Sequence, residues 1–190
     1  MKYVFYVADV ETTGLDSRLN DVIELSLSRL GLEENTQKTW LIRPTNFENI
    51  ENDALRINGH KLEEIKKYPE ASKVIVEIEN WLIEDGVPAS QRALLGQNIS
   101  FDKDMLEQLW SKCQSRDSFP FGRRYLDTMQ IALLIDYVEG NTSEGYSLSN
   151  LIKKYGIRNE KAHTAAADVR ATKELFEKQV EDLRKKMNIK

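Results

Sequence analysis

Three stretches of the chain carry carboxylates that could serve a common site. The first is Asp9-Val10-Glu11-Thr12-Thr13-Gly14-Leu15, which follows the apolar run Tyr3-Val4-Phe5-Tyr6-Val7-Ala8. The β-branched and aromatic content of that run marks a buried strand. Acids at i and i+2 on a strand share one face, and Gly14 ends the strand in a turn. Burying carboxylates costs free energy unless they are paired or hold a cation. An all-oxygen donor set suits Mg²⁺ or Mn²⁺. The bland alternative is a surface acid pair at a strand end, in a chain with 31 Asp and Glu residues.

A cation site needs further carboxylates from elsewhere in the chain. Gly96-Gln97-Asn98-Ile99-Ser100-Phe101-Asp102 supplies one, because a strand ends there and Asp102 falls in the first turn of the helix that follows. A first-turn acid also complements the helix dipole, so Asp102 has an ordinary reading too. The last stretch is His163-Thr164-Ala165-Ala166-Ala167-Asp168, holding one of only two histidines. At about 100° per residue, positions five apart differ by roughly 140° on a helix. The simplest geometry therefore puts Asp168 on the helix and His163 in the loop before it, with the alanines leaving little bulk nearby. A cap-region histidine and a solvated acid form the alternative.

The elements around these stretches must bring them together. Residues 3–9 read as a strand. Asp21 to Leu30 alternates apolar and polar residues and reads as a second strand, and Gln37 to Arg43 as a third, with Gly31 and Asn35 in the hairpin between them. Asn52 to Ile57 is a short candidate helix ending near Gly59. Pro69 to Glu84 has Val74, Ile75, Ile78, Trp81 and Leu82 at helical spacing, with Pro69 placed for the first turn. Ala93 to Gln97 is a short buried strand, and Ser100 can cap a helix running to about Cys113. Tyr125-Leu126-Asp127 is a fifth strand, followed by a helix through about Val138. Leu148 to Lys154 and roughly Ala165 to Met187 complete the helices. Three antiparallel strands followed by alternating helices and strands predict a mixed α/β sheet with helices on both faces.

Composition sets the bounds. A chain of 190 residues suffices for one domain with a real core, and 41% hydrophobic with 31% charged residues reads as a globular protein. The net charge of −4 does not attract nucleic acid, so such a partner must meet a local basic patch. The single cysteine, Cys113, excludes an internal disulfide and reads as a packing residue, with a cytoplasmic location expected. No signal-peptide pattern opens the chain, and no apolar run approaches the roughly 20 residues of a membrane span.

Taken together, the motifs resemble a known family. Asp-x-Glu-Thr-Thr-Gly-Leu at 9–15, Asn-x-x-Phe-Asp at 98–102 and His-x-x-x-x-Asp at 163–168 are similar to the DEDDh (DnaQ-like) 3′–5′ exonuclease superfamily. Its members include the proofreading subunit of bacterial DNA polymerase III, RNase T and oligoribonuclease. Asn58-Gly59, Leu126-Asp127-Thr128 and Ser147-Leu148…Leu151…Tyr155-Gly156-Ile157 are further matching pieces, and the resemblance covers roughly residues 3–180. Thr at 164, where the sister class has Tyr, indicates the histidine class.

The resemblance implies an RNase H-like fold and a single exonuclease domain over residues 1–190. It implies that Asp9, Glu11, Asp102 and Asp168 hold two divalent cations, Mg²⁺ or Mn²⁺, and that His163 is the general base. The expected reaction releases nucleoside 5′-monophosphates from 3′ ends. By the family pattern Thr12 and Thr13 lie beside the terminal 3′-OH, Leu15 wedges against the terminal base, and Asn98 and Phe101 line the same pocket. His60 either borders that pocket or is a surface-loop histidine. Arg123, Arg124, Lys153, Lys154, Arg158 and Lys161 are candidate backbone-steering cations or ordinary solvated charges. Gln97 stands where many relatives have His, and Ala166 where they have Leu. The Glu-Thr-Thr-Gly form leans toward DNA-type members, so single-stranded DNA 3′ ends are the expected partner. The alternatives are an exoribonuclease of RNase T or oligoribonuclease type and an inactive nucleic-acid-binding module. Several stand-alone relatives are homodimers, so a homodimer is one expected assembly. No polymerase-binding tail is legible after residue 180.

Overall fold

The computed structural model describes residues 3–31, 36–113, 118–159 and 164–187. Its frame is a five-stranded sheet of order β3-β2-β1-β4-β5. β1 (Val4–Thr12) pairs antiparallel with β2 (Val22–Arg29), which pairs antiparallel with β3 (Lys38–Leu41). On its other side β1 runs parallel to β4 (Arg92–Gly96), and β4 parallel to β5 (Tyr125–Asp127). This is the expected mixed sheet with its first three strands antiparallel.

β1 runs three residues past the expected strand end at Asp9, because its ladder with β2 continues from Tyr6 through Thr12. Both acids of the first motif are therefore inside the central strand. Alternation splits β1 between two layers. Its even-numbered residues Tyr6, Ala8 and Val10 pack with α3 (Ala71–Ile83) and α4 (Ile99–Lys112) through Val74, Ile78 and Leu106. Phe5 and Val7 face the opposite layer with Val169 and Phe176 of α7 (Ala165–Lys186). Asp9 and Glu11 continue that second face, toward the start of α7. Over the same layer, α5 (Thr128–Glu139) and α6 (Leu148–Lys154) meet α7 through Ala132, Leu151, Ala171 and Leu175. Among the described residues no helix is long and apolar enough to cross a membrane.

Some local expectations change. Ser100 is not the cap of α4. Asn98 holds that position in a left-handed conformation, φ 55°, and Ser100 is already inside the helix. Asp127 explains this turn, since its carboxylate accepts from Asn98 N at 3.0 Å and from Met129 N at 2.9 Å. Pro69 stands outside α3 because its carbonyl accepts from Arg43 N, leaving Glu70 at the helix start. α1 (Asn52–Asn58) ends at Gly59, whose φ of 76° favours glycine. A one-turn helix, α2 (Leu62–Ile65), follows it and escaped the sequence reading, because four residues carry no usable periodicity. Cys113 is half-buried against the α3–α4 core, in agreement with a packing role.

Candidate active site

Asp9, Glu11 and Asp168 converge. One oxygen of each lies within 4.8 Å of the others. The two strand acids meet the helix acid because α7 begins over the end of β1. Thr164 caps that helix, its hydroxyl accepting from Ala167 N, and Asp168 stands in the first turn. The alanines serve close packing, since Ala165 and Ala167 are buried and let the helix approach the sheet. Gln37, immediately before β3, ties this helix start down by donating to the carbonyl of Ala166 at 2.8 Å. Asn159 Nδ2 donates to Asp168 Oδ1 at 2.6 Å and fixes the orientation of that carboxylate. Nothing in the spacing of the sequence marked Asn159, nine residues before Asp168, or Gln37, which acts on Ala166 across 129 positions.

Asp102 approaches from the opposite layer. It is buried, and its Oδ1 accepts from Val10 N at 3.0 Å, between the two strand acids. One of its oxygens is thus committed to the backbone. Gly96 permits this approach of α4: a Cβ there would lie 2.5 Å from Ile99 Cδ1 and 3.0 Å from the carbonyl of Ala8.

Burial and mutual repulsion raise the proton affinity of these acids. Asp9 is held well above the ordinary carboxylate range, first by burial and then by Asp102, Asp168, Glu11 and Glu24. Glu11 rises from 4.5 to about 7 through burial, Asp168 and Glu24, partly offset by His60. Burial takes Asp102 to about 8, against its hydrogen bond from Val10. Carboxylates packed in this way, with only oxygen donors facing one another, fit a hard divalent cation that would neutralise them.

Around this cluster the other predicted residues fall into two groups. Leu15 is 78% exposed, Phe101 half-buried and Asn98 exposed. The hydroxyls of Thr12 and Thr13 are engaged within the loop. Thr12 Oγ1 donates to the carbonyl of Gly14 at 2.7 Å, and Thr13 Oγ1 accepts from Asp21 N at 2.9 Å. Gln97 bonds Tyr146 and Thr128, which anchors the α6 approach to the end of β4. His60 is no surface-loop histidine: its ring is 11% exposed and lies 3.2 Å from Glu24. His163 and Lys161 lie outside the described residues. Of the other cations, Lys154 pairs with buried Asp136 and Arg124 bonds the Tyr3 hydroxyl. Arg158 lines a cleft of about 900 Å³ with Arg170, Lys173 and Asn159.

A central strand carrying paired acids, with a long C-terminal helix supplying another, defines an RNase H-like nuclease architecture. The comparisons agree. The profile of the exonuclease family of RNase T type matches residues 6–176. The chain belongs to that exonuclease family. The PolC-type DNA polymerase III of Thermotoga maritima is 27% identical over 182 residues, covering 95% of this chain. That of a Staphylococcus aureus strain is 26% identical over 188 residues, again covering 95% of this chain. The chain spans 12% of the length of each of these two proteins. Among solved structures, Escherichia coli exonuclease I in complex with a dT13 oligonucleotide superposes with a TM-score of 0.76 at 19% identity. The match covers 98% of this chain and 42% of that one. Cell-death related nuclease 4 (CRN-4) gives a TM-score of 0.80 at 14% identity, over 95% of this chain and 64% of that one. These structural likenesses establish the fold.

Proposed function

We propose that this chain, as a single exonuclease domain, is a metal-dependent 3′–5′ exonuclease acting on single-stranded DNA ends and releasing nucleoside 5′-monophosphates. The observation that carries the reading is the convergence of Asp9, Glu11 and Asp168, with Asp102 against the same strand. Asp9, Glu11, Asp102 and Asp168 are the residues that would hold two Mg²⁺ or Mn²⁺ ions. When bound, such ions polarise the scissile phosphate, lower the pKa of a water and stabilise the leaving 3′ oxygen.

The chain's own residues do the rest. Asn159 keeps the Asp168 carboxylate turned toward the strand acids. His163, placed just before Thr164, takes the proton of the attacking water, a role suited to a side chain that titrates near neutrality. Leu15 and Phe101 hold the terminal base on apolar surface, which is tolerant of base identity. By the family pattern Thr12 and Thr13 lie beside the terminal 3′-OH, with their hydroxyls bonded within the loop. Arg158 and Arg170, which line the cleft beside Asn159, are the candidate contacts to backbone phosphates. DNA is favoured over RNA because the similar polymerases are DNA polymerases and the exonuclease I neighbours hold dT13 and dA16 oligonucleotides.

The test uses 5′-labelled single-stranded DNA and RNA of matched sequence with Mg²⁺, Mn²⁺ or EDTA, beside an Asp9→Ala control. A metal-dependent ladder shortening from the 3′ end of DNA, absent in the control, is the expected result. Faster shortening of RNA would move the assignment to an exoribonuclease. No cleavage of either strand with any metal would overturn the enzyme reading in favour of a binding module.

A further inference from the structure

Glu24 and His60 are not part of the acid cluster, yet both are directed at it. Glu24 is the cross-strand partner of Glu11 in the β1–β2 ladder. Directly opposed residues of an antiparallel pair share a face, with Cβ atoms about 4.5–5.5 Å apart. A buried glutamate is therefore held directly behind Glu11, where an unrestrained carboxylate would repel it or displace it.

His60 meets Glu24, and Tyr68 holds His60 in place. His60 Nε2 lies 3.2 Å from Glu24 Oε2, and the His60 Nδ1 lies 2.7 Å from the Tyr68 hydroxyl. When the Tyr68 hydroxyl donates to Nδ1, the ring proton sits on Nε2, the ring nitrogen nearest Glu24. The rings of His60 and Tyr68 also pack edge to face, with centroids 5.7 Å apart. The backbone completes the frame: His60 N donates to Asn58 Oδ1, and Asn58 Nδ2 donates to the carbonyl of Thr12, the residue after Glu11. The end of α1 is thus tied to β1 beside Glu11 and to β2 at Glu24.

We propose that Glu24 and His60 are positioning residues for Glu11, a carboxylate–imidazole pair that fixes the geometry and negative field with which the acid cluster meets its divalent cation. The inference rests on the metal-binding reading of Asp9, Glu11 and Asp168. Neither residue needs to touch the ion. Outer-shell carboxylates and histidines orient the ligands in front of them, and losing one typically weakens metal binding by roughly 10–100-fold.

The test is titration of the metal-free protein with Mn²⁺ alone, with free Mn²⁺ read by electron paramagnetic resonance and no nucleic acid present. The wild-type chain is expected to bind and Asp9→Asn to lose that binding. Glu24→Gln and His60→Leu are expected to bind roughly 10–100-fold more weakly. His60→Gln, which keeps a donor near the Nε2 position, is expected to restore most of the affinity. Thermal melts in EDTA run alongside, because a merely structural pair would shift the melt and leave the Mn²⁺ affinity unchanged. Wild-type Mn²⁺ affinity in Glu24→Gln and His60→Leu, with Asp9→Asn inactive in binding, would overturn this inference alone. Absence of Mn²⁺ binding by the wild-type chain would overturn the metal reading itself, and this inference with it. Should His60→Leu fail to fold, the isosteric Glu24→Gln decides.

Discussion

Replacing Glu11 by glutamine should stabilise the metal-free protein, and the gain should grow with pH. Glu11 is raised from 4.5 to about 7 by burial and by the neighbouring Asp168 and Glu24. A raised carboxyl pKa means that the folded state holds its proton more tightly than the unfolded chain does. Stability attributable to Glu11 is therefore fully present below about pH 4.5, falls as pH rises through the window to about 7, and stays lost above it. At about 1.4 kcal/mol per pH unit, ionising Glu11 in the folded protein costs about 3 kcal/mol. Its charge also raises Asp9 and Asp102, so removing it relieves them as well. Glutamine keeps the shape without the charge. Urea unfolding in EDTA should show wild type and Glu11→Gln nearly equal at pH 4.5, and the variant ahead by about 3 kcal/mol at pH 8. Adding Mn²⁺ at about 100 times its dissociation constant should stabilise the wild type by about 2.7 kcal/mol and the variant much less. A difference between the two proteins that does not change with pH in EDTA would refute the reasoning, as would a variant less stable than wild type at pH 8.

Three further outcomes follow from single contacts. Asp102→Ala leaves Val10 N without its partner and should cost about 1–3 kcal/mol in urea unfolding, whereas Asp102→Asn retains an acceptor and should fold nearly as well; both should lose nuclease activity. Gly96→Ala should destabilise by about 1–3 kcal/mol, since its Cβ would collide with Ile99 and the Ala8 carbonyl, and a melting temperature at the wild-type value would contradict this. Leu15→Ala removes an exposed side chain, so steady-state kinetics on an oligonucleotide should show a raised KM with an unchanged melting temperature.

Most strands and helices of this chain announce themselves through local pattern. β5 and α6 have the boundaries their residues suggest, and α7 runs within a residue of its expected span. The departures have long-range causes. Asn98 rather than Ser100 begins α4 because Asp127, 29 residues away, binds its backbone. β1 extends through Glu11 because β2 pairs with it there, which no property of the apolar run specifies. Thr12 and Thr13 were legible as motif residues, but the direction of their hydroxyls was decided by Gly14 and Asp21.

The candidate site divides in the same way. Strand geometry put Asp9 and Glu11 on one face, but it was the resemblance of the three motifs to an exonuclease family that grouped them with Asp102, His163 and Asp168. The sequence by itself therefore determined the family, the sheet and the acids available for cation chemistry. Only the tertiary structure decided which of them meet: Asp9, Glu11 and Asp168 converge, while Asp102 gives one oxygen to the Val10 amide. It alone also placed Glu24 behind Glu11, His60 on Glu24 and Asn159 on Asp168. Those partners come from separate elements, and strand register and helix docking, which depend on the whole core, set the distances between them.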